Sequence, residues 1–346
     1  MTKAEGTRSV TAKPATLKDV AAAAGVSIGT VSKVLTGGYQ LRPETESRVR
    51  AATKSLNYAP NLAAQSLHTQ RTGTVGLLTS DLDGRFSIPV MMGAEDAFGM
   101  GNMSAFLCDA RGDSIREQHH IRALLTRRID GLIVVGDTTN ERPSLGQDFP
   151  VPIVYAYSPS DDERDISVVS DNVGAGHQAA EHLIANRRSR IAYVAGDPSF
   201  VASTDRVEGA VAALQEHGLE LVGGGPFYGA WSEEWGRNAL NAVLASEPDL
   251  DGVLCGNDML GRGVIDALRE AGRSVPTDVS VIGHDNWEMI ALQARPQLST
   301  IDMNLEELGR LAAQLLFAAI DGDQRPGQHS VPTRFVQRGS SAPKLW

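Results

Sequence analysis

Short apolar runs that alternate with stretches of helical spacing restrict this chain's fold more than any other feature. The runs lie at 75–78, 104–107, 131–135, 153–155, 191–194, 252–255 and 279–282, and a last strand is read at 331–337. Helical patterns between them cover 115–127, 175–186, 206–217, 233–245 and 261–271. A strand apolar on both sides must be covered on both faces, and helical crossovers between such strands make the sheet parallel. The spacing therefore predicts an α/β body from about residue 73 onward. With 346 residues, two or three domains fit. No apolar run of about 18 residues occurs, which argues against a membrane helix. The first ten residues are polar and carry no secretory signal core. Cys108 and Cys255 are the two cysteines; they cannot frame a disulfide scaffold and point to a reducing cytoplasm.

The net charge of −10 conceals an asymmetry. Residues 1–71 hold ten Lys and Arg against four acids, a net +6, so the remainder carries −16. A polyanion is attracted to the first part and repelled by the second. The basic part opens on a polar lead, 1–15, expected to be disordered. Thr16 is then placed to cap a helix, with Asp19 three residues on. Leu17, Val20, Ala21 and Ala24 make one apolar face, and Gly25 suits the left-handed end. Ser27 caps a second helix whose inward residues are Val31, Val34 and Leu35. Two short helices across a glycine turn make a helix-turn-helix, with the second helix offered to a major groove. A third helix starts at Pro43, with Glu44 and Glu46 at its positive end and Val49, Ala52 and Leu56 inward. The alternative is a small bundle that binds protein; the basic charge and the Thr30, Ser32, Lys33 face favour DNA. Residues 61–71 are too short for a free helix, so they form a linker or a helix ordered only by DNA and a partner chain.

The helix-turn-helix, the Asn57-Tyr58-x-Pro60-Asn61 segment and the Ala64-x-x-Leu67 hinge resemble the LacI/GalR family of bacterial repressors, and the likeness extends through almost the whole chain after residue 15. The resemblance implies DNA contacts by Thr16, Ser27, Ile28, Gly29, Thr30, Ser32, Lys33, Tyr58, Asn61, Ala64 and Leu67. Leu67 matches a leucine that wedges into the minor groove and kinks it. The chain departs from the family pattern at Ile28 and Gly29, which supply no side-chain hydrogen bonds, so direct base readout is sparse. Arg42 stands where a capping Ser is common.

For the body, the resemblance implies two Rossmann-like subdomains akin to periplasmic sugar-binding proteins. The expected division is a 16–60 reading domain, a 61–72 hinge and a 73–343 core. The core splits into an N-subdomain (73–170 and 303–325) and a C-subdomain (171–302 and 326–343), with crossovers near 171, 302 and 325. Ligands bind at the carboxyl ends of such strands. By resemblance Arg206, read as opening a helix, Asn257 and Asp285 hydrogen-bond a sugar; Trp231 offers a ring to stack on it. Asp81 and Phe86 follow the first strand, Asp109 the second, Asp137 the third and Tyr157 the fourth. Tyr157 stands where relatives carry an acid. Asp258 reads either as a ligand contact or as the cap of the helix after it.

An enzyme is disfavoured. Gly261-x-Gly263 lies inside a helical pattern and lacks the dinucleotide context, and no phosphate loop, zinc-protease or serine-hydrolase motif occurs. His119-His120 and His177/His182 are read as helix-surface residues without ligands at zinc spacing. No cofactor or metal is expected. A free sugar-binding protein would need the missing signal peptide. The expectation is thus a cytoplasmic homodimer on a palindromic operator, released by a small ligand, a sugar by resemblance. No heptad tail for a tetramer follows the last strand.

Overall fold

The computed structural model describes residues 15–35, 42–58, 71–81, 84–101 and 103–341. The chain divides into two compact units, Met1–Thr72 and Gly73–Trp346. The lead before residue 15, together with Asn61, Ala64 and Leu67, falls outside the described residues.

In the first unit, α1 (Leu17–Ala24), α2 (Ile28–Leu35) and α3 (Pro43–Ser55) enclose a small core of Val20, Ala21, Ala24, Val31, Val34, Val49 and Ala52. The expected capping box forms. The Asp19 N–H donates to the Thr16 hydroxyl at 3.3 Å, and Asp19 accepts the Thr16 N–H at 2.8 Å. Gly25 takes φ 64°, where a side chain would be strained. Arg48 on α3 donates to the Ala24 and Gly25 carbonyls at 3.1 Å each, satisfying acceptors that the end of α1 leaves open.

The second unit holds two sheets. The first lobe contains β1 (Thr74–Thr79), β2 (Ser104–Asp109), β3 (Gly131–Val135), β4 (Ile153–Ala156), β5 (Ile166–Ser170) and β10 (Gly327–Val331), in the order β10-β5-β4-β3-β1-β2. The second contains β6 (Ile191–Val194), β7 (Gly252–Cys255), β8 (Ser280–His284), β9 (Ser299–Asp302) and β11 (Arg334–Val336), in the order β11-β9-β8-β7-β6. Every pairing is parallel except β11 with β9. In the first lobe, α4 (Ser87–Gly101) and α10 (Leu305–Ile320) cover one face and α5 (Ser114–Thr126) the other. In the second, α8 (Glu233–Ser246) and α9 (Asp258–Glu270) cover one face, and α6 (Asn172–Ala185) and α7 (Val201–Glu216) the other. Apolar cores on both faces of both sheets are what the unbroken apolar runs require.

The chain passes between lobes after β5, after β9 and after β10. The third passage therefore lies between Val331 and Arg334, not near 325. Gly327–Val331 pairs with β5 in the first lobe, and Pro332, which has no N–H to give a ladder, separates it from β11. The single strand read at 331–337 is thus two strands in two sheets. β5, β9 and β10 escaped the pattern because serines and polar residues interrupt them. Gly261-x-Gly263 is a packing feature: a Cβ on Gly263 would lie 2.1 Å from the Glu233 carbonyl oxygen. No helix among the described residues is long and apolar enough to cross a membrane.

Candidate functional site

On the reading head, the Ser27 hydroxyl accepts the Thr30 N–H at 3.1 Å and lies 2.9 Å from the Thr30 hydroxyl. Both groups therefore set the start of α2. Val31 and Val34 face inward, which leaves Ile28, Gly29, Ser32 and Lys33 on the exposed side. Ile28 is 48% exposed, so its side chain stands on the outer face of α2. Arg42 precedes α3 with no side-chain cap. Tyr58 packs half-buried against the head's core.

In the second unit, the strand ends face each other across a cleft. A cavity of about 180 Å³ is lined by Phe86, Asp137 and Tyr157 from one lobe and Arg206, Trp231, Asn257 and Asp285 from the other. Its volume is below the roughly 300–1,000 Å³ of drug-sized sites, so a small ligand fits this closed form.

Arg206 is fully enclosed. It sits in the second turn of α7, not at its start, because the helix begins at Val201. Its Nε donates to Asn172 Oδ1 at 2.8 Å and its Nη1 to the Gly256 carbonyl at 2.7 Å. Nη1 also stands 3.8 Å from Asp285 Oδ1. Asp285 leaves the end of β8 with φ 103°, and its N–H is tied to the Ile301 carbonyl at 2.9 Å. Asn257, not Asp258, caps α9: its Oδ1 accepts the Leu260 N–H at 2.9 Å, which commits that oxygen and leaves the amide nitrogen for other partners. Asp258 is completely buried, accepting from the Thr300 hydroxyl at 2.6 Å and the Trp287 N–H at 2.7 Å. Burial pushes its carboxyl up to about 7, although both hydrogen bonds pull the other way. His284, just before Asp285, is held well below its ordinary value by burial and by Arg206 and Arg85. It is neutral at physiological pH and no proton carrier.

The aromatic lining is ordered. Phe86 stacks on Tyr157 with centroids 4.8 Å apart, and Phe200 meets Trp231 edge-on at 5.9 Å. The Trp231 ring lies against Gly196, where a Cβ would come within 2.3 Å of it. Burial raises the Tyr157 phenol above its usual range, so it stays protonated.

Two expected residues stand aside. Asp81 is absent from the cavity wall; it folds its own turn, accepting the Gly84 N–H at 3.4 Å. Asp109 likewise accepts the Arg111 N–H at 2.9 Å. Phe200, Arg85, Thr139 and Asn140 all escaped the sequence reading. Arg85, next to Phe86, reaches from the first lobe to pair with Asp285 of the second, its guanidinium between the rings of Phe86 and Trp287 at 4.7 and 4.8 Å. Arg85 and Asp285 also wall a second cavity of about 550 Å³, so their ion pair partitions the cleft. Thr139 and Asn140 close it from the side. Thr139 Oγ1 accepts the Ala202 N–H at 3.0 Å, and Asn140 Oδ1 the Val201 N–H at 2.9 Å. The first turn of α7 has no cap of its own and takes one from the opposite lobe.

Comparison with known proteins agrees with this architecture. Residues 16–61 match the model of bacterial regulatory proteins, lacI family, and residues 180–341 that of a periplasmic binding protein-like domain. The HTH-type transcriptional regulator CelR of Thermobifida fusca is 34% identical, with 93% of this chain and 95% of the relative covered. Among solved structures, a transcriptional regulator CelR–cellobiose complex is 31% identical with a TM-score of 0.62, covering 94% of this chain and 99% of that one. A lac repressor dimer bound to operator and the anti-inducer ONPF is 27% identical with a TM-score of 0.68, covering 95% and 99%.

Proposed function

This chain is a member of the lacI family of bacterial regulatory proteins, and on that premise we propose that it is a repressor whose hold on a palindromic operator is released by a small neutral sugar. The observation that carries the ligand reading is the cleft itself. Arg206, Asn257 and Asp285 converge on one side and stacked aromatics on the other, the combination that grips a ring with polar edges and apolar faces. A ligand lacking the matching hydroxyls would leave buried polar groups unpaired, at about 1–3 kcal/mol each. Arg85 competes with such a ligand for Asp285. A single sugar unit fits one cavity; a longer one requires Arg85 to swing away and join the two.

The DNA reading rests on the basic head and the exposed face of α2. Thr16, Ser27 and Thr30 hold the helix starts, whose N–H groups suit phosphates, while Ile28, Gly29, Ser32 and Lys33 face the groove. Tyr58, Asn61, Ala64 and Leu67 serve the approach to the minor groove. The proposed division is a 16–60 head, a 61–72 hinge and a core from 73 to 343, acting in the cytoplasm. A palindrome requires a two-fold partner. Ile88, Met92, Phe106 and Leu107 are each about half exposed, on α4 and the edge strand β2. An apolar edge of this kind is covered in a soluble protein, and a second copy of the chain is the proposed cover.

A thermal-shift screen of the full chain against neutral mono- and disaccharides, with sugar acids and sugar phosphates as controls, tests the ligand reading. At least one neutral sugar is expected to raise Tm, and Arg206→Ala to abolish that shift while leaving operator binding in a gel shift intact. Stabilisation by sugar phosphates alone would refute the neutral-sugar reading.

A further inference from the structure

We propose that His177, Glu181 and Glu216 form a surface site for one divalent transition-metal ion of the zinc class, with His217 beside it as a further donor. None of these residues lines the cleft cavity.

His177 and Glu181 are one turn apart on α6 and so share a face. Glu216 ends α7 and His217 caps it. Donor atoms of His177, Glu181 and Glu216 all lie within 4.8 Å of one another. His177 Nε2 is 3.4 Å from Glu216 Oε2, and His217 Nε2 is 2.8 Å from Glu181 Oε1. A tetrahedral ion with bonds of about 2.0–2.2 Å holds its donors roughly 3.3–3.6 Å apart, so small rotations of exposed side chains complete the site.

The platform beneath is rigid. A Cβ on Gly176 would lie 1.9 Å from the Arg206 carbonyl oxygen, and one on Gly209 would lie 1.8 Å from that of Val173. The backbones of α6 and α7 touch immediately before His177, which fixes the spacing of the two ligand-bearing faces. Preorganised helical positions of this kind make good metal sites.

The donor chemistry selects the ion. Imidazole with carboxylate suits Zn²⁺, Cu²⁺ or Ni²⁺, whereas Ca²⁺ and Mg²⁺ prefer all-oxygen sets. Two carboxylates within 4.8 Å repel each other; a divalent ion reverses that term. The residue pairing read from the sequence misleads here, because His182 turns away to the Ser341 carbonyl and hydroxyl at 3.1 and 3.0 Å. Glu181 takes its place one residue earlier, and Glu216 arrives through the packing of the second helix.

Calorimetric titration of the untagged, metal-stripped full chain with ZnCl₂ tests the proposal. One saturable site per chain is expected, accompanied by a rise in Tm. His177→Ala and Glu216→Gln should each weaken it at least about tenfold, while the double substitution of His119 and His120 by Ala leaves it unchanged. These side chains are partly exposed, and circular dichroism checks that the variants fold. Absence of saturable binding would overturn the proposal. So would a site that survives His177→Ala or vanishes with His119 and His120.

Discussion

Arg85 and Asp258 carry the sharpest consequences at the scale of single residues. Arg85 fills the space a ligand hydroxyl would use against Asp285. Arg85→Met keeps the apolar stem between Phe86 and Trp287 and removes the competing charge. The affinity of a neutral sugar found by the Tm screen should rise about tenfold, measured by calorimetry; a fall would mean that Arg85 grips the ligand. Asp258 makes a pH prediction. Its carboxyl sits at about 7 against an unfolded value of 3.8, so the unfolded chain releases this proton first as pH rises. The native state therefore loses stability between about pH 4 and pH 7, by roughly 1.4 kcal/mol per unit. Asp258, protonated at pH 5 in the native state, accepts through both oxygens; Asp258→Asn replaces one of them with an amide nitrogen and costs stability at that pH. That cost should shrink by pH 8 in paired thermal melts, and a cost that grows with pH would contradict the assignment. Asn257 and Asp285 were legible in the sequence because each closely follows a strand end; Arg206, in the second turn of α7, was legible through the family resemblance, and Trp231 as a ring able to stack on a sugar. Arg85 was not, since its role exists only where two lobes meet.

At the scale of elements, the start of α7 shows how closure is built. Its first N–H groups are capped by Thr139 and Asn140 across the cleft, some sixty residues away, so no local pattern announces the cap. Losing a helix cap costs about 1 kcal/mol. Asn140→Ala should weaken ligand binding about fivefold in the same titration while leaving Tm without ligand within a degree or two. Unchanged affinity would mean that these bonds do not belong to the ligand-bound form. The strands divide by composition: β3, β6 and β7 are apolar and were legible, whereas β9 and β10 carry Ser299, Thr300, Gln328 and His329, and β5 has Ser167 and Ser170 among its residues. Burial of those hydroxyls is made tolerable by partners that only the folded sheet supplies. The Ser299 hydroxyl, for example, accepts the Arg338 N–H at 2.8 Å, and the Ser170 hydroxyl donates to the Met303 carbonyl at 3.2 Å. The head helices were read closely because their signals are local: a capping box, a left-handed glycine and a Ser cap; the exception is Leu56, read as inward, which caps the end of α3 and is 36% exposed.

At the scale of the whole molecule, charge separates the tasks. A head of net +6 approaches the phosphate backbone while a body of −16 is repelled from it, which disfavours binding by the wrong surface. On the proposed contacts, the sparse donors at Ile28 and Gly29 would shift specificity toward the deformability of the operator centre. On the proposed function, a ligand in the cleft and an operator on the head oppose one another, with a coupling of about 1–3 kcal/mol. The most direct measurement is fluorescence anisotropy of a labelled operator duplex, selected from genomic fragments with the full chain, titrated with and without the sugar that raises Tm. Binding of a palindrome by two chains is expected, with a log–log salt slope of roughly −7 for about 8 phosphate contacts and a 5–150-fold loss of affinity with sugar. Indifference to every genomic duplex, or an operator affinity that the sugar leaves unchanged, would contradict it.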